Sequence, residues 1–406
     1  MDFKEIPKNY LVSANSKTMD IFRHFQNTVL KASFLFCLLS SDGVFSQTSQ
    51  ADENEKKEAT TYPKFSVKGL FQGQYDASMN KDVDINGLHH SDGEEVSNSF
   101  LVKRGRLQVK AIISDRTDVT MSVNLADFKS DPKNKVLENA YISYKLTDKI
   151  SLTAGQFRPF FGLENTYPID IVKSIDFSNQ YYEFGNNGWE SFQIGASVSV
   201  RDSIGRMPIQ YGLTVFNGNG RNQSNDKDNG KQYTGRVLLR LSEKNNVNLG
   251  LNGGLGQVFH KDVFAAGFDI TSNFQLSEKF LLELQLEAKQ GTNHNLFFNL
   301  QPAERLYNLN RYQTRGFYFL PNLRYEIQYR RLSSIEFSCR YEYLDSSYRV
   351  NSNLRQTWLP MLSFEFLKSY NARIQLAMQI DDYKRNVPDS PTYDNKLFIL
   401  QVQSRF

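Results

Sequence analysis

Cysteine is almost missing from this chain of 406 residues, which has only Cys37 and Cys339. Cys37 falls in a segment expected to be removed, so the remaining thiol cannot close an internal disulfide, and no CxxC pair suggests a zinc site. Long apolar runs are missing too. The most apolar stretch, Ala32–Leu39, is far short of the roughly 20 residues that a membrane-spanning helix needs. Charge of one sign is also lacking: 48 Lys and Arg stand against 44 Asp and Glu, without the basic cluster that would mark a nucleic-acid partner. No GxSxG occurs, and the histidines beyond residue 46 are His89, His90, His260 and His294, all in or beside expected loops. A hydrolase would need a histidine beside a serine nucleophile, so an enzyme is not expected. Nothing in the sequence implies a cofactor.

Aromatic residues, by contrast, are abundant. The chain holds 31 Phe and 21 Tyr, yet its mean hydropathy is −0.51. Large aromatics in a chain that is hydrophilic on average must sit on a surface that alternates with polar positions.

The flanks of the short apolar run fit a secretory signal: Arg23 and Lys31 precede it, and Val44-Phe45-Ser46 stands before Gln47 as a cleavage site. Phe34-Leu35-Phe36 before Cys37 lack the small residues of a lipoprotein site. Residues 1–46 are therefore expected to be an N-terminal extension plus signal peptide, with the start at Met19. Residues 47–63 are charged without periodicity and are expected to form a flexible periplasmic leader. The folded domain is expected over 64–406.

Within 64–406, segments of about ten residues alternate with period two, the signature of a membrane barrel. In ARIQLAMQI, Ala372, Ile374, Leu376, Met378 and Ile380 share one face, and Arg373, Gln375, Ala377 and Gln379 the other. In LLELQLEAKQ, Leu282, Leu284, Leu286 and Ala288 oppose Glu283, Gln285, Glu287 and Lys289. Each such segment has one face fit for lipid and one fit for water.

Strands are expected to begin near 64, 100, 117, 136, 149, 190, 207, 231, 247, 263, 280, 315, 332, 355, 370 and 395. The connections alternate in length. Short ones, such as ISDRT (113–117), LTDK (146–149) and LSEK (276–279), alternate with long ones at 76–99, 127–135, 158–189, 217–230, 291–314, 345–353 and 382–394. One outer connection, at His260–Asp262, is short. Short periplasmic turns against long outer loops are the asymmetry of an outer-membrane barrel. A soluble sandwich alternates along its strands as well, but does not call for it. The fold expected is an all-β transmembrane antiparallel barrel of 16 strands. The chain ends on Phe406, which closes an alternating strand as a barrel-assembly signal would.

Two stretches, FLVKRGRLQVKAIISD (100–115) and LENAYISYKLTDKISLTAGQFRPFFGLEN (137–165), resemble the phosphate-selective porin O/P family of Gram-negative, Bacteroidetes-type bacteria. That resemblance implies a 16-stranded outer-membrane porin, usually trimeric, that passes small anions such as phosphate. Its surroundings would be outer-membrane lipid and lipopolysaccharide. The third outer loop mixes Arg158 and Lys173 with Glu164, Asp170, Asp176 and Glu183, so a weak rather than strong anion preference is expected.

Alternation places Arg104, Arg106, Lys110, Arg236 and Arg240 on the inner wall, with Arg158 and Lys173 in the third loop. Opposite them, Glu283, Glu287, Glu326, Glu336, Glu342 and Glu365 form an acidic wall relieved by Arg324 and Arg340. Such a field would orient dipolar solutes, and the weak anion preference is expected to come mainly from Arg104, Arg106, Lys110 and Arg158. The same cations could instead hydrate the wall and pair with its carboxylates. The third loop holds Phe160, Phe161, Tyr167, Ile169, Ile171 and Ile175. A loop folded inward against the wall would need these side chains; one reaching a neighbouring protomer is the alternative. Asp82, Asp84 and Asn86 begin like a calcium loop, but the twelfth position is Gly93. A receptor or adhesin barrel whose long loops bind a partner is the competing reading, and a barrel-embedded hydrolase a second.

Overall fold

Backbone groups inside a bilayer find no water to bond, so strands can cross it only if the sheet closes on itself. The computed structural model of this chain does so. It describes residues 61–128, 136–223, 225–226 and 228–406. The expected signal and most of the expected leader lie outside the described residues.

Sixteen antiparallel strands follow one another: β1 (Lys64–Ser78), β2 (Asn98–Ile112), β3 (Thr117–Asn124), β4 (Leu137–Lys145), β5 (Ile150–Phe157), β6 (Gln193–Ile204), β7 (Met207–Phe216) and β8 (Gln232–Ser242). Then come β9 (Val247–Val258), β10 (Lys261–Gln275), β11 (Phe280–Thr292), β12 (Gln313–Tyr329), β13 (Leu332–Asp345), β14 (Arg355–Leu367), β15 (Ala372–Tyr383) and β16 (Asn395–Arg405). Each pairs with its neighbour in sequence, and β1 pairs with β16 to close the barrel. At that seam Leu70 faces Arg405. Gly69 and Phe406 then exchange both backbone hydrogen bonds, at 2.9 and 3.1 Å.

The alternation read from the sequence becomes the two faces of the wall. On β15, Arg373, Gln375, Ala377 and Asp381 are buried toward the lumen, while Ile374, Leu376 and Met378 lie between them on the outer face. On β11, Glu283, Glu287 and Lys289 are buried on the same side. Side chains such as Phe100, Val102, Phe337 and Trp358 stay exposed on the outside.

The short outer connection is the two-residue hairpin Phe259–His260 between β9 and β10. Both residues adopt positive φ, 47° and 61°, as a type I′ turn requires to match the twist of the flanking strands. The register of β1 against β2 jumps from Gln72↔Arg104 to Gly73↔Val102. Lys103 is therefore one residue too many, and this bulge sets Lys103 and Arg104 side by side on the inner wall. The third outer connection, residues 158–192, folds into the barrel. It contains short turns at Glu164–Thr166 and Ile169–Ile171 and one helix, α1 (Asn179–Asn186).

Candidate functional site in the barrel lumen

The inserted third loop builds the site. Ser178 caps α1, its hydroxyl accepting from the Tyr181 amide at 3.3 Å, and the Glu164 carboxylate accepts from the Ser178 amide at 2.9 Å. That carboxylate ties the first half of the loop to the start of the helix.

Apolar side chains seat the loop. Phe161, Phe184 and Trp189 pack with Phe216, Val263 and Ala265 of the wall and with Phe297, Leu309 and Tyr312 of the sixth outer loop. Ile169, Val172, Phe177 and Tyr181 surround Leu70. Ile175 meets Leu359, Met361, Ala377 and Ile399. These last four are apolar residues at inward positions that elsewhere carry polar groups. Burying a side chain of this size contributes about 1.5–3 kcal/mol, so an apolar residue in the wet register marks a docking socket.

Polar contacts fix the loop on opposite sides of the lumen. Asp176 receives Arg104 Nη2 at 2.7 Å and Lys103 Nζ at 3.1 Å. Across the barrel, Arg340 donates to the carbonyls of Asp176 and Phe177 at 2.7 and 3.1 Å, and the Asn179 amide donates to Glu342 at 2.6 Å. The Leu163 amide donates to Glu287 at 2.6 Å. Lys289 meets Glu190 at 2.8 Å with both side chains fully buried.

These contacts change the picture of an open basic row facing an open acidic wall. Arg104 is bound to Asp176, Arg106 to Glu138 at 2.6 Å, Lys110 to Asp118 at 3.2 Å and Lys173 to Glu283 at 3.0 Å. Arg236 donates to Asp269 at 2.9 Å and to Asn252 at 2.7 Å. Arg240 is exposed at the periplasmic end of β8, with no ion pair among the described residues. On the acidic side, Glu287 lies 3.4 Å from Lys289 and Glu342 2.7 Å from Arg340. Glu326, Glu336 and Glu365 converge on Arg324, the first two at 2.7 and 2.8 Å. Most of these pairs join residues of the wall to one another, and the loop adds Asp176 to Arg104, Lys173 to Glu283 and Glu190 to Lys289. Arg158 stands apart. Its guanidinium donates to the Tyr167 carbonyl at 2.7 Å and lies over Phe177 and Phe192, 5.2 and 4.9 Å from the ring centroids.

Two cavities open below the loop toward the periplasmic turns. The larger, 780 Å³, has Lys68, Arg106, Arg158 and Arg405 in its wall with Glu138 and Asp170. Arg106 is held by Glu138 and Arg405 by Asp170. Lys68 and Arg158 are left without a carboxylate partner among the described residues. The smaller, 370 Å³, carries Lys173 and Arg405 with Glu164 and Glu283 and is balanced. Sequence reasoning passed over Lys68, Lys103, Glu138 and Glu190, and put Arg405 on the wet face of the last strand without giving it a role. Period two shows Lys68 and Arg405 as inward positions, but not what lies across from them.

Outside, the acidic stretch of the first loop is committed internally. Asp84 accepts from the Asn86 and Leu88 amides at 2.8 and 2.9 Å and faces His90 at 3.4 Å. Burial would raise its pKa, but these hydrogen bonds outweigh it and hold the carboxyl below its usual range. Among the described residues, no group of three or more His, Cys, Asp or Glu could hold a metal ion.

A closed sixteen-strand barrel with a polar lumen, an apolar outer wall and a long loop pinned inside is the architecture of outer-membrane porins. Residues 74–249 match the family model described as phosphate-selective porin O and P, which contains both stretches that carry the sequence resemblance. Comparison with the curated proteins returns no match. Among solved structures, the outer membrane channel DcaP of Acinetobacter baumannii is 15% identical at a TM-score of 0.52, covering 85% of this chain and 97% of its own. The anion-selective porin from Comamonas acidovorans is 8% identical at a TM-score of 0.55, covering 85% and 100%. OmpT of Vibrio cholerae, in a trimer form, is 11% identical at a TM-score of 0.51, covering 85% and 100%. At such identities the likeness is one of fold.

Proposed function

We propose that this barrel lets small hydrophilic solutes diffuse passively across an outer membrane, with a weak preference for anions such as phosphate and no catalytic step. The observation that carries the preference is the cationic excess around the 780 Å³ cavity, where Lys68 and Arg158 remain after the other charges have paired. A surplus of one sign beside a narrowed pore biases which ion enters. The basic strand positions Arg104, Arg106 and Lys110 act chiefly as loop and wall supports in this reading.

Salt-gradient recording in a planar bilayer tests it. The refolded chain from Gln47 onward is expected to give steps with a reversal potential on the anion side, reduced in a Lys68→Ala/Arg158→Ala variant. A cation-side potential would overturn the selectivity, and silence from a folded, heat-modifiable barrel would overturn the channel.

The same reading includes export through a signal peptide cleaved after Ser46, insertion by the barrel-assembly machinery with Phe406 as its signal, and assembly as a homotrimer among lipopolysaccharide and lipid. N-terminal sequencing of the exported protein checks the first. Crosslinking in the membrane checks the last.

A further inference from the structure

Where the barrel meets the periplasm, most turns balance their charge. Asp115 adjoins Arg116, Asp148 adjoins Lys149, Glu243 adjoins Lys244 and Glu278 adjoins Lys279. Three turns break this pattern: β6–β7, which has Arg206 and no acid, and two neighbouring turns further along the chain. The β12–β13 turn is Arg330-Arg331, and the β14–β15 turn opens with Lys368 and contains no acid. Between them lies a groove of 830 Å³.

The groove is amphipathic in a definite order. Leu332, Phe366 and Leu367 line it beside the three cations. Phe366 is the extra residue of a bulge between Glu365↔Arg373 and Leu367↔Ala372, and it is exposed where Glu365 is buried on the lumen side and bound to Arg324. Phe366 and Leu367 are 38% and 58% exposed. The Arg330 guanidinium lies over the Tyr329 ring, 5.3 Å from its centroid, and Tyr329 is itself exposed. Among the described residues, none of the three cations is in an ion pair; the acids nearest them in sequence, Glu326 and Glu336 for the arginines and Glu365 for Lys368, are all bound to Arg324. The order is therefore apolar surface at acyl-chain depth, aromatic rings at the interface and unneutralised cations at headgroup depth.

We propose that this groove binds an anionic glycerophospholipid of the periplasmic leaflet, with its phosphate between Arg330, Arg331 and Lys368 and its acyl chains along Leu332, Phe366 and Leu367. The assignment rests on the outer-membrane reading for its setting. Arginine pairs offer forked donors that match phosphate oxygens, and cations near a membrane surface each favour an anionic lipid about fivefold. A free phosphate ion would have no use for the exposed apolar floor. That floor is what decides for a lipid.

The test uses the refolded chain in detergent with equal amounts of phosphatidylglycerol and phosphatidylethanolamine of matched acyl chains, with bound lipid read by native mass spectrometry. Phosphatidylglycerol is expected to bind at least about fivefold better, and the preference should vanish in an Arg330→Ser/Arg331→Ser/Lys368→Ser variant. It should survive in Arg330→Lys/Arg331→Lys and in an Arg116→Ser/Lys244→Ser control. Equal binding of the two lipids, or an undiminished preference in the triple variant, overturns the proposal. So does displacement of bound phosphatidylglycerol by inorganic phosphate at equal concentration, which would assign the groove to a free anion. Heat-modified migration confirms that each variant folds, and conductance of the same preparation reports separately on the channel.

Discussion

Lys289 on β11 and Glu190 in the third loop form an ion pair at 2.8 Å in which neither side chain has any exposed surface. Glu287, two residues from Lys289, is 3.4 Å from the same ammonium. A cation thus sits between a carboxylate of the wall and one of the loop, where losing it would strand both. Replacing Lys289 with Met is expected to cost about 3–5 kcal/mol, the usual penalty for an uncompensated buried charge. The denaturant midpoint of the refolded barrel measures this. A Lys289→Met/Glu190→Gln chain should recover part of the loss, and an additive result would count against direct coupling.

Arg104 and Arg158 should separate under mutation. Arg158→Ala removes an unpaired cation beside the large cavity and is expected to move the reversal potential toward the cation side. Arg104→Ala leaves Asp176 still matched by Lys103 at 3.1 Å, so selectivity should stay near that of the parent. Its effect should be on the loop, seen as greater current noise. Equal changes in reversal potential for the two variants would refute this division.

Gly155 lies within the GQF step of the family-like stretch, at φ +126°. A Cβ at that position would stand 2.3 Å from the Ala140 carbonyl oxygen. Backbone in this region is nearly restricted to glycine and costs other residues on the order of 1–3 kcal/mol; the contact adds to that. Gly155→Ala is expected to lower the yield of folded, heat-modifiable barrel at a fixed lipid ratio.

The first and eighth outer loops are latched by Asp389, which accepts from the Ser91 amide at 2.8 Å and from its hydroxyl at 3.0 Å. His89 packs at a tilt against Tyr393 beside it, 4.1 Å between centroids. The Ser91 hydrogen bonds hold the Asp389 carboxyl below its ordinary value. A lowered pKa means that the latch is intact above the unfolded value of about 3.9 and fails as pH falls through the folded one. Pepsin cleavage within 384–394 should therefore rise as pH falls below about 3.9. In Asp389→Asn it should be high throughout.

Much of the architecture could be read from the alternation alone. The expected strand starts lie within three residues of those found, the widest gap being residue 190 against Gln193 of β6. The inward course of 158–192 was legible because an exposed loop has no need of Phe161, Ile169 and Ile175. Less was legible in the lumen. Period two tells which way a side chain points, but not what meets it across the barrel. The pairs of Arg104 with Asp176 and Lys173 with Glu283 depend on where the inserted loop comes to rest. The bulge at Lys103 left no mark in the pattern either, since an extra cation in VKRGR reads as ordinary alternation slipped by one.

The β1–β16 seam differs in kind from every other junction in the wall. All the remaining pairs are hairpins that can zip as soon as both arms exist, whereas the seam joins groups such as Gln72 and Gln403, 331 positions apart. Loop closure over such a span is the slow, entropically costly event in a folding pathway. The barrel therefore has one commitment step. Until Gly69 meets Phe406, β1 and β16 are open template edges that any passing strand could pair with.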